Sequence, residues 1–197
     1  MNGLKSSVCL LLGLILPGIV LFVSSCAPPT PPERTAEKTT AIPADYDPEA
    51  QLSRLAIELP TPSAPVANYV NAVQSGQLLF LAGKGPKKAD GENVTGRLGE
   101  DLSIEQGYEA ARLCAVNQLA VLKAELGNLN RVKRIVKVTG MVNSAPDFTD
   151  QPKVVNGFSD LMVEVFGERG KHARAAVGMA ALPGHIAVEV DVVVEVW

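Results

Sequence analysis

The sequence has little of several residue types on which specialised functions depend. Aromatic residues make up 5% of its 197 residues, and it contains two histidines and three cysteines. So few aromatic side chains would supply a poor platform for stacking nucleic-acid bases. Two histidines, with no Asp or Glu cluster at ligand spacing, argue against a metal site. We therefore expect no metal and no other cofactor.

An excess of basic residues is also lacking. The chain has 18 Lys and Arg against 21 Asp and Glu, a formal net charge of −3. Binding to a phosphate backbone needs a positive surface, and no run of Lys or Arg forms a basic stripe. The sequence therefore predicts no nucleic-acid partner. Hydrophobic residues, by contrast, account for 47% of the chain, which is enough for one packed domain with extensions.

The N-terminal segment, residues 1–25, has the pattern of a signal peptide. Lys5 gives a positive start, residues 8–23 are largely apolar, and two serines precede Cys26. This junction resembles a bacterial lipobox, so we expect cleavage before Cys26 and lipidation of its thiol. Ala27, in place of an aspartate, favours the periplasmic side of the outer membrane. A retained anchor is the alternative, although the apolar run is shorter than the roughly 20 residues of a spanning helix.

A proline-rich stretch separates this segment from the predicted domain. Residues 26–48 are rich in Pro, Thr, Ala and charge, which predicts an extended, solvated tether. The domain itself is expected over residues 49–197. Its first part, residues 49–64, is an extension with leucines at helical spacing, so we expect a short helix that Pro60 ends. Continued disorder is the alternative for this extension.

Hydrophobic periodicity within the domain predicts the order strand, strand, helix, strand, helix, strand, strand. The first helix has a capping box at Ser103 and Gln106 and ends at Gly127. Asp147 or Asp150 caps the second helix. This pattern predicts an α+β fold, with a mixed sheet and two helices on one of its faces. The predicted strands are residues 66–73, 78–82, 132–142, 172–181 and 186–197.

The last two predicted strands carry a suggestive set of polar residues. Arg174 lies among alanines, and Glu189 alternates with valines, with Asp191 on the same face. We expect the two strands to form a hairpin turning at residues 182–185, which would place Arg174 and Glu189 on paired strands. Such a pair is either a structural ion pair or the two ends of a polar pocket. His172 faces the same way as Arg174 and is either a further acid–base candidate or a surface histidine.

The C-terminal part of the chain resembles a known family. Arg174, the Leu-Pro turn at residues 182–183 and Glu189 closely resemble the C-terminal signature of the RidA (YjgF-type, endoribonuclease L-PSP-like) imine deaminases. The other matching stretches are residues 68–70, 79–83, 147–148 and 156–158. The resemblance spans residues 65–197. It implies a chorismate-mutase-like fold and a homotrimer with ligand sites in the clefts between subunits.

The resemblance also implies roles for four residues. In that family the arginine binds the substrate carboxylate, and a glutamate and a tyrosine serve hydrolysis. Arg174 and Asn156 would therefore bind substrate, and Glu189 and Tyr69 would be catalytic. The ligand would be a small carboxylate-bearing imine or enamine, and the products a 2-keto acid and ammonia. Purely structural roles are the alternatives, with Arg174 and Glu189 as an ion pair at a subunit interface.

Several residues depart from the family pattern. Ala175 and Ala176 follow Arg174 where imine deaminases usually have Ser or Thr and then often Cys. Ala82 and Lys84 stand where a serine and a glutamine are common. The missing hydroxyl and thiol groups favour a second hypothesis, a non-enzymatic trimer that binds a small carboxylate. A ribonuclease activity, suggested by a historical family name, is opposed by the acidic net charge.

Overall fold

The computed structural model describes residues 41–197. The predicted signal peptide, Cys26 and most of the predicted tether lie outside them. The helices are α1 (Pro48–Arg54), α2 (Ile104–Leu126) and α3 (Gln151–Phe166). The strands are β1 (Ala72–Ser75), β2 (Leu78–Lys84), β3 (Val132–Asn143), β4 (Ala173–Met179) and β5 (Val188–Val196). Of the helices in this part of the chain, none has the length and apolar composition that crossing a bilayer requires.

The strands of the described residues form a mixed sheet in the order β1-β2-β5-β3-β4. β3 and β4 are parallel, and the other neighbouring pairs are antiparallel. Parallel neighbours need a crossover connection, and α3 supplies it between β3 and β4. Both α2 and α3 pack on the same buried face of the sheet. The predicted α+β architecture is confirmed.

The predicted hairpin of β4 with β5 is wrong. β3 lies between them, so Arg174 of β4 pairs with Val138, and Glu189 of β5 pairs with Met141. Closeness in sequence favours a hairpin, but β5 is the central strand and takes both β2 and β3 as antiparallel partners. The connection after β4, which contains a 3-10 turn at Pro183–His185, carries the chain past β3 to its other side.

Local hydrogen bonds define both ends of α2. Ser103 accepts a bond from the backbone N–H of Gln106, whose side chain accepts one from the Ser103 N–H. Gly127, with a φ of 76°, ends the helix in a conformation that costs glycine little. Both ends are where the sequence predicts them. α3 follows Asp150, whose side chain makes no capping bond, so tertiary packing rather than a cap supports its start.

Alternation along β5 makes the two faces of the sheet chemically different. One set of side chains faces α2 and α3 and is at most 2% exposed; it comprises Val188, Val190, Val192, Val194 and Val196. The intervening residues, among them Glu189 and Asp191, lie on the opposite face and are partly exposed. The predicted alternation is confirmed. It holds the Glu189 carboxylate on a rigid central strand, away from the helices.

The N-terminal extension packs on the domain. α1 is shorter than predicted and ends at Arg54. Before it, Tyr46 donates its hydroxyl to the Val132 carbonyl at 2.7 Å and lies 5.1 Å from the Arg169 guanidinium, measured to the ring centre. Burial raises the pKa of Tyr46, and the Arg169 charge opposes that rise. The end of the predicted tether is therefore in contact with the folded domain.

Candidate functional site

A cavity of about 750 Å³ contains two of the predicted site residues, Tyr69 and Glu189. Gly83 and Lys84, at the end of β2, also line it, and residues 60–64 of the N-terminal extension form part of its wall. Tyr69 is 47% exposed, so the residue is accessible to a ligand. The structure thus brings the two residues with predicted catalytic roles into one cavity.

Glu189 lies against the backbone of β2. A side chain at Gly83 would overlap the Glu189 carboxylate, so the glycine leaves the space that the carboxylate occupies. Burial raises the pKa of Glu189, the negative charge of Asp191 raises it further, and the positive charge of Lys84 opposes the rise. A carboxylate with a raised pKa is a stronger base, which suits proton abstraction near neutral pH.

Lys84 is a part-buried amine in the same cavity. Its Nζ donates a hydrogen bond to Asn71 Oδ1 at 2.6 Å. Burial lowers the pKa of Lys84, and the negative charge of Glu189 opposes this. The cavity therefore contains an acid and an amine whose pKa values are each shifted towards neutrality.

Arg174 belongs to a second cluster, between β4 and α3. One of its guanidinium nitrogens donates to Asn156 Oδ1 at 2.9 Å and to Ser159 Oγ at 3.0 Å. The other donates to the Pro152 carbonyl at 3.4 Å. All three acceptors are uncharged, so they orient the planar guanidinium without neutralising it. The structure places the two predicted substrate-binding residues, Arg174 and Asn156, in direct contact.

His172 and Ser159 extend this cluster. His172 Nδ1 lies 2.6 Å from the Gly170 carbonyl, and its Nε2 lies 3.0 Å from Ser159 Oγ. A carbonyl only accepts, so Nδ1 carries the proton and Ser159 donates its hydroxyl to Nε2. Burial lowers the pKa of His172, the Gly170 bond opposes this, and the charge of Arg174 lowers it further. His172 is therefore a part-buried neutral support for Ser159, not a surface histidine.

Sequence reasoning did not single out Ser159. It lies three residues after Asn156 on α3, a spacing that puts both side chains on one face of a helix. That spacing was the available signal, but only the fold shows that this face meets β4 and its arginine.

The two clusters lie on opposite faces of the sheet. Arg174 is in register with Val138, which is fully buried beneath the helices, whereas Glu189 is in register with Met141 on the other face. Side chains of paired residues point to the same face of a sheet. Within one chain, Arg174 and Glu189 are therefore neither an ion pair nor two walls of one pocket.

Metal ligation and thiol chemistry find no support in the described part of the chain. Residues 41–197 contain no group of three or more His, Cys, Asp or Glu side chains placed to hold a metal ion. Cys114, on α2, is fully buried with its Sγ 3.6 Å from the Val188 carbonyl. Burial, with the nearby charge of Glu189, raises the pKa of this thiol, which makes it a poor nucleophile.

Comparison with known proteins covers most of the chain. A family described as YjgF/chorismate mutase-like, putative endoribonuclease, matches residues 49–195. Protein TCP17 of Trypanosoma cruzi is 51% identical over 147 residues, which are 74% of this chain and 92% of that protein. The solved structure of Atu1372 from Agrobacterium tumefaciens, a protein of unknown function, is 45% identical with a TM-score of 0.71, covering 76% of this chain and 92% of that one. A Shewanella oneidensis structure with the same endoribonuclease description is 33% identical with a TM-score of 0.74, covering 76% of this chain and 99% of that one.

Proposed function

Because the chain belongs to the YjgF/chorismate mutase-like family, we propose that it hydrolyses small imines or enamines to 2-keto acids and ammonia. The reaction takes place in the clefts between the subunits of a homotrimer. One observation carries the proposal: the chain holds two complementary half-sites, a cavity with Tyr69 and Glu189, and an oriented guanidinium at Arg174. The cavity has no arginine among its lining residues, and the cluster around Arg174 has no carboxylate.

The helix-free face of the sheet supports assembly into an oligomer. Val73, Phe80 and Val177 belong to this face and are 56%, 45% and 40% exposed. Strand register puts Val73 beside Phe80, and Phe80 beside Val193. Exposed apolar side chains that lie side by side, as Val73 and Phe80 do, mark a protein interface. A three-fold assembly that buries this face would bring β4, an edge strand carrying Arg174, to the cavity of a neighbouring subunit.

In this proposal, Arg174 binds the carboxylate of the substrate. A guanidinium donates two parallel hydrogen bonds to a carboxylate, which fixes the orientation as well as the position of the ligand. Asn156 and Ser159 hold the guanidinium from the side of α3. The clamp thereby presents the imine carbon of the substrate to the cavity of the adjoining subunit.

Glu189 then acts as general base. It takes a proton from the water whose oxygen attacks the imine carbon, and the proton passes to the substrate nitrogen. The hydroxyl proton of the resulting amino alcohol then moves to the nitrogen, the C–N bond breaks to release ammonia, and a 2-keto acid remains. Tyr69 hydrogen-bonds the ligand or the attacking water from the same cavity.

Ammonia release tests this proposal. The full-length chain should release ammonia from freshly generated 2-iminopropionate faster than buffer does, and light scattering should give the mass of three chains. Bulkier imino acids would then define the size of the cleft. A folded protein that forms trimers but releases no ammonia above the buffer rate would contradict the proposed hydrolysis.

A non-enzymatic binding trimer is the second candidate. Ala175 and Ala176 follow Arg174 on β4, and Ala82 lies on β2 beside the cavity, so these positions provide no hydroxyl or thiol groups. This function uses the same cleft and the same arginine. It predicts saturable binding of pyruvate by the full-length chain, measured by calorimetry, together with no turnover of 2-iminopropionate.

A ribonuclease activity has less support from the charge of this chain. The net charge is −3, and no run of Lys or Arg forms a basic stripe in the sequence. RNA cleavage depends on attraction of phosphates to a positive groove. An RNase activity that survived unchanged in Arg174→Ala and Glu189→Ala proteins would indicate a contaminant.

We also propose that the domain is anchored to the outer membrane on its periplasmic side, through a lipid on Cys26. The support is the lipobox-like junction before Cys26. A bacterial host expressing the full chain should incorporate a labelled fatty acid into it, and the Cys26→Ala variant should not. Equal labelling of both proteins would contradict lipidation at Cys26.

A further inference from the structure

Lys84 lies in the cavity of Glu189 and Tyr69, yet the proposed hydrolysis gives it no task. Its hydrogen-bond acceptor is the neutral amide oxygen of Asn71, 2.6 Å from Nζ. Among the ion pairs of residues 41–197, none includes Lys84. A neutral acceptor holds an ammonium ion less strongly than a carboxylate does. Lys84 is thus easier to deprotonate than an ion-paired lysine.

Other lysines show how unusual this environment is. Several are paired with carboxylates, namely Lys123, Lys133, Lys153 and Lys171. Lys87 also lines the cavity but is exposed at its rim. Lys84 alone among these combines partial burial, a neutral partner and a place in the cavity. Burial lowers the pKa of Lys84 and raises that of Glu189, the arrangement that a nucleophilic amine with an acid–base partner requires.

We propose that Lys84 is a covalent catalyst that forms a Schiff base with the substrate. The electron pair of Nζ attacks the imine carbon and forms a new C–N bond. Nζ gives up two protons, one after the attack and one as the original C–N bond breaks. Glu189 passes both to the substrate nitrogen, which leaves as ammonia. Water then adds to the Lys84 ketimine, giving the 2-keto acid and restoring the free amine. No oxidant or reductant takes part.

This inference deepens the proposed function and rests on it for the substrate. Lys84, not water, attacks first, and Glu189 moves the proton at each step. The second step is reversible, so it predicts an activity that needs no imine. A 2-keto acid should condense with Lys84, losing one water and forming the same Schiff base.

Reductive trapping tests the Schiff base directly. The full-length chain is incubated with pyruvate and cyanoborohydride, and its peptides are mapped by mass spectrometry. We expect an adduct on Lys84 that is heavier by pyruvic acid less one oxygen atom. Its yield should exceed that at Lys87 by roughly tenfold, as expected for an amine activated by its surroundings. A Lys84 yield no greater than that of Lys87 would overturn the proposal, and this comparison within one protein needs no variant.

Two variants separate this inference from the hydrolysis itself. Lys84→Arg should lose the adduct and lower kcat for ammonia release roughly 100-fold. Lys87→Arg, at the rim of the same cavity, should keep the adduct on Lys84 and the kcat of the wild type. Unchanged ammonia release in Lys84→Arg would overturn covalent catalysis and leave direct attack by water. Trapping at Lys84 without ammonia release by the wild-type protein would support the amine chemistry and reject the hydrolysis.

Discussion

Replacing Glu189 by glutamine is expected to lower kcat for imine hydrolysis by about 100- to 10,000-fold, the usual contribution of a general base. Glutamine keeps the size of the side chain beside Gly83 but cannot accept a proton from water or from an amine. A general base acts in the chemical step, whereas binding of pyruvate does not need it. The value of kcat should therefore fall far more than the affinity for pyruvate. The measurement is ammonia release from 2-iminopropionate at saturating substrate, with pyruvate binding measured beside it.

The Glu189→Gln protein should fold at least as well as the wild type. The pKa of Glu189 is raised in the folded protein by burial and by Asp191. Its ionised form therefore costs stability, and the cost is present once the pH rises above the folded pKa. Glutamine carries no charge and avoids this cost. A lowered melting temperature at neutral pH would mean that the loss of activity reports misfolding, and would contradict the assigned role.

Asp191→Asn is the matched control, since it removes a carboxylate two residues along the same face. Activity should stay within a few-fold of the wild type. The negative charge of Asp191 helps to raise the pKa of Glu189, so its removal should lower that pKa. The rising limb of the pH–rate profile, which reports deprotonation of Glu189, should then move to lower pH. A limb that does not move would contradict Glu189 as the titrating base.

The second large effect is expected at Arg174. Arg174→Ala should lower kcat/KM for 2-iminopropionate about 100-fold, because hydrogen bonds to a charged group contribute roughly 1.5–3 kcal/mol. Arg174→Lys keeps the charge but not the planar fork, so it should recover only part of this loss. Ser159→Ala, which removes one support of the guanidinium, should cause a smaller loss. Initial rates of ammonia release at low substrate concentration give these values.

A substrate without the carboxylate separates binding from folding. The imine of the corresponding 2-keto amide should react equally fast with the wild-type and Arg174→Ala proteins, because this substrate has no carboxylate for Arg174 to bind. Arg134→Ala, at an exposed arginine of the neighbouring strand β3, should behave as the wild type on both substrates. Equal losses on both substrates in Arg174→Ala would show that the arginine supports the fold instead of the ligand.

Elements with local signals were predictable from the sequence. The ends of α2 depend on Ser103, Gln106 and Gly127, each of which acts within one helical turn of its own position. The strand β5 was predictable because burial of every second residue leaves a period of two in the sequence. Such signals need no knowledge of distant parts of the chain.

Features that depend on distant partners were not predictable in this way. β1 begins at Ala72, although strand propensity extends back to Val66; residues 66–70 are exposed and belong to no strand of the described chain. The neighbour of β4 is β3, which precedes it by a whole helix. The contacts of Arg174 with α3 follow from that pairing. Sheet order and half-site composition are therefore tertiary properties.

The place of β5 at the centre of the sheet also determines when the domain can fold during synthesis. β2 and β3 have no hydrogen bonds to each other and are joined only through β5. Every other strand precedes β5 in the chain, so the sheet stays divided until residues 188–196 have left the ribosome. We therefore expect the sheet to be completed only after β5 has been made. An incompletely folded chain would fit the export proposed for a signal peptide at residues 1–25.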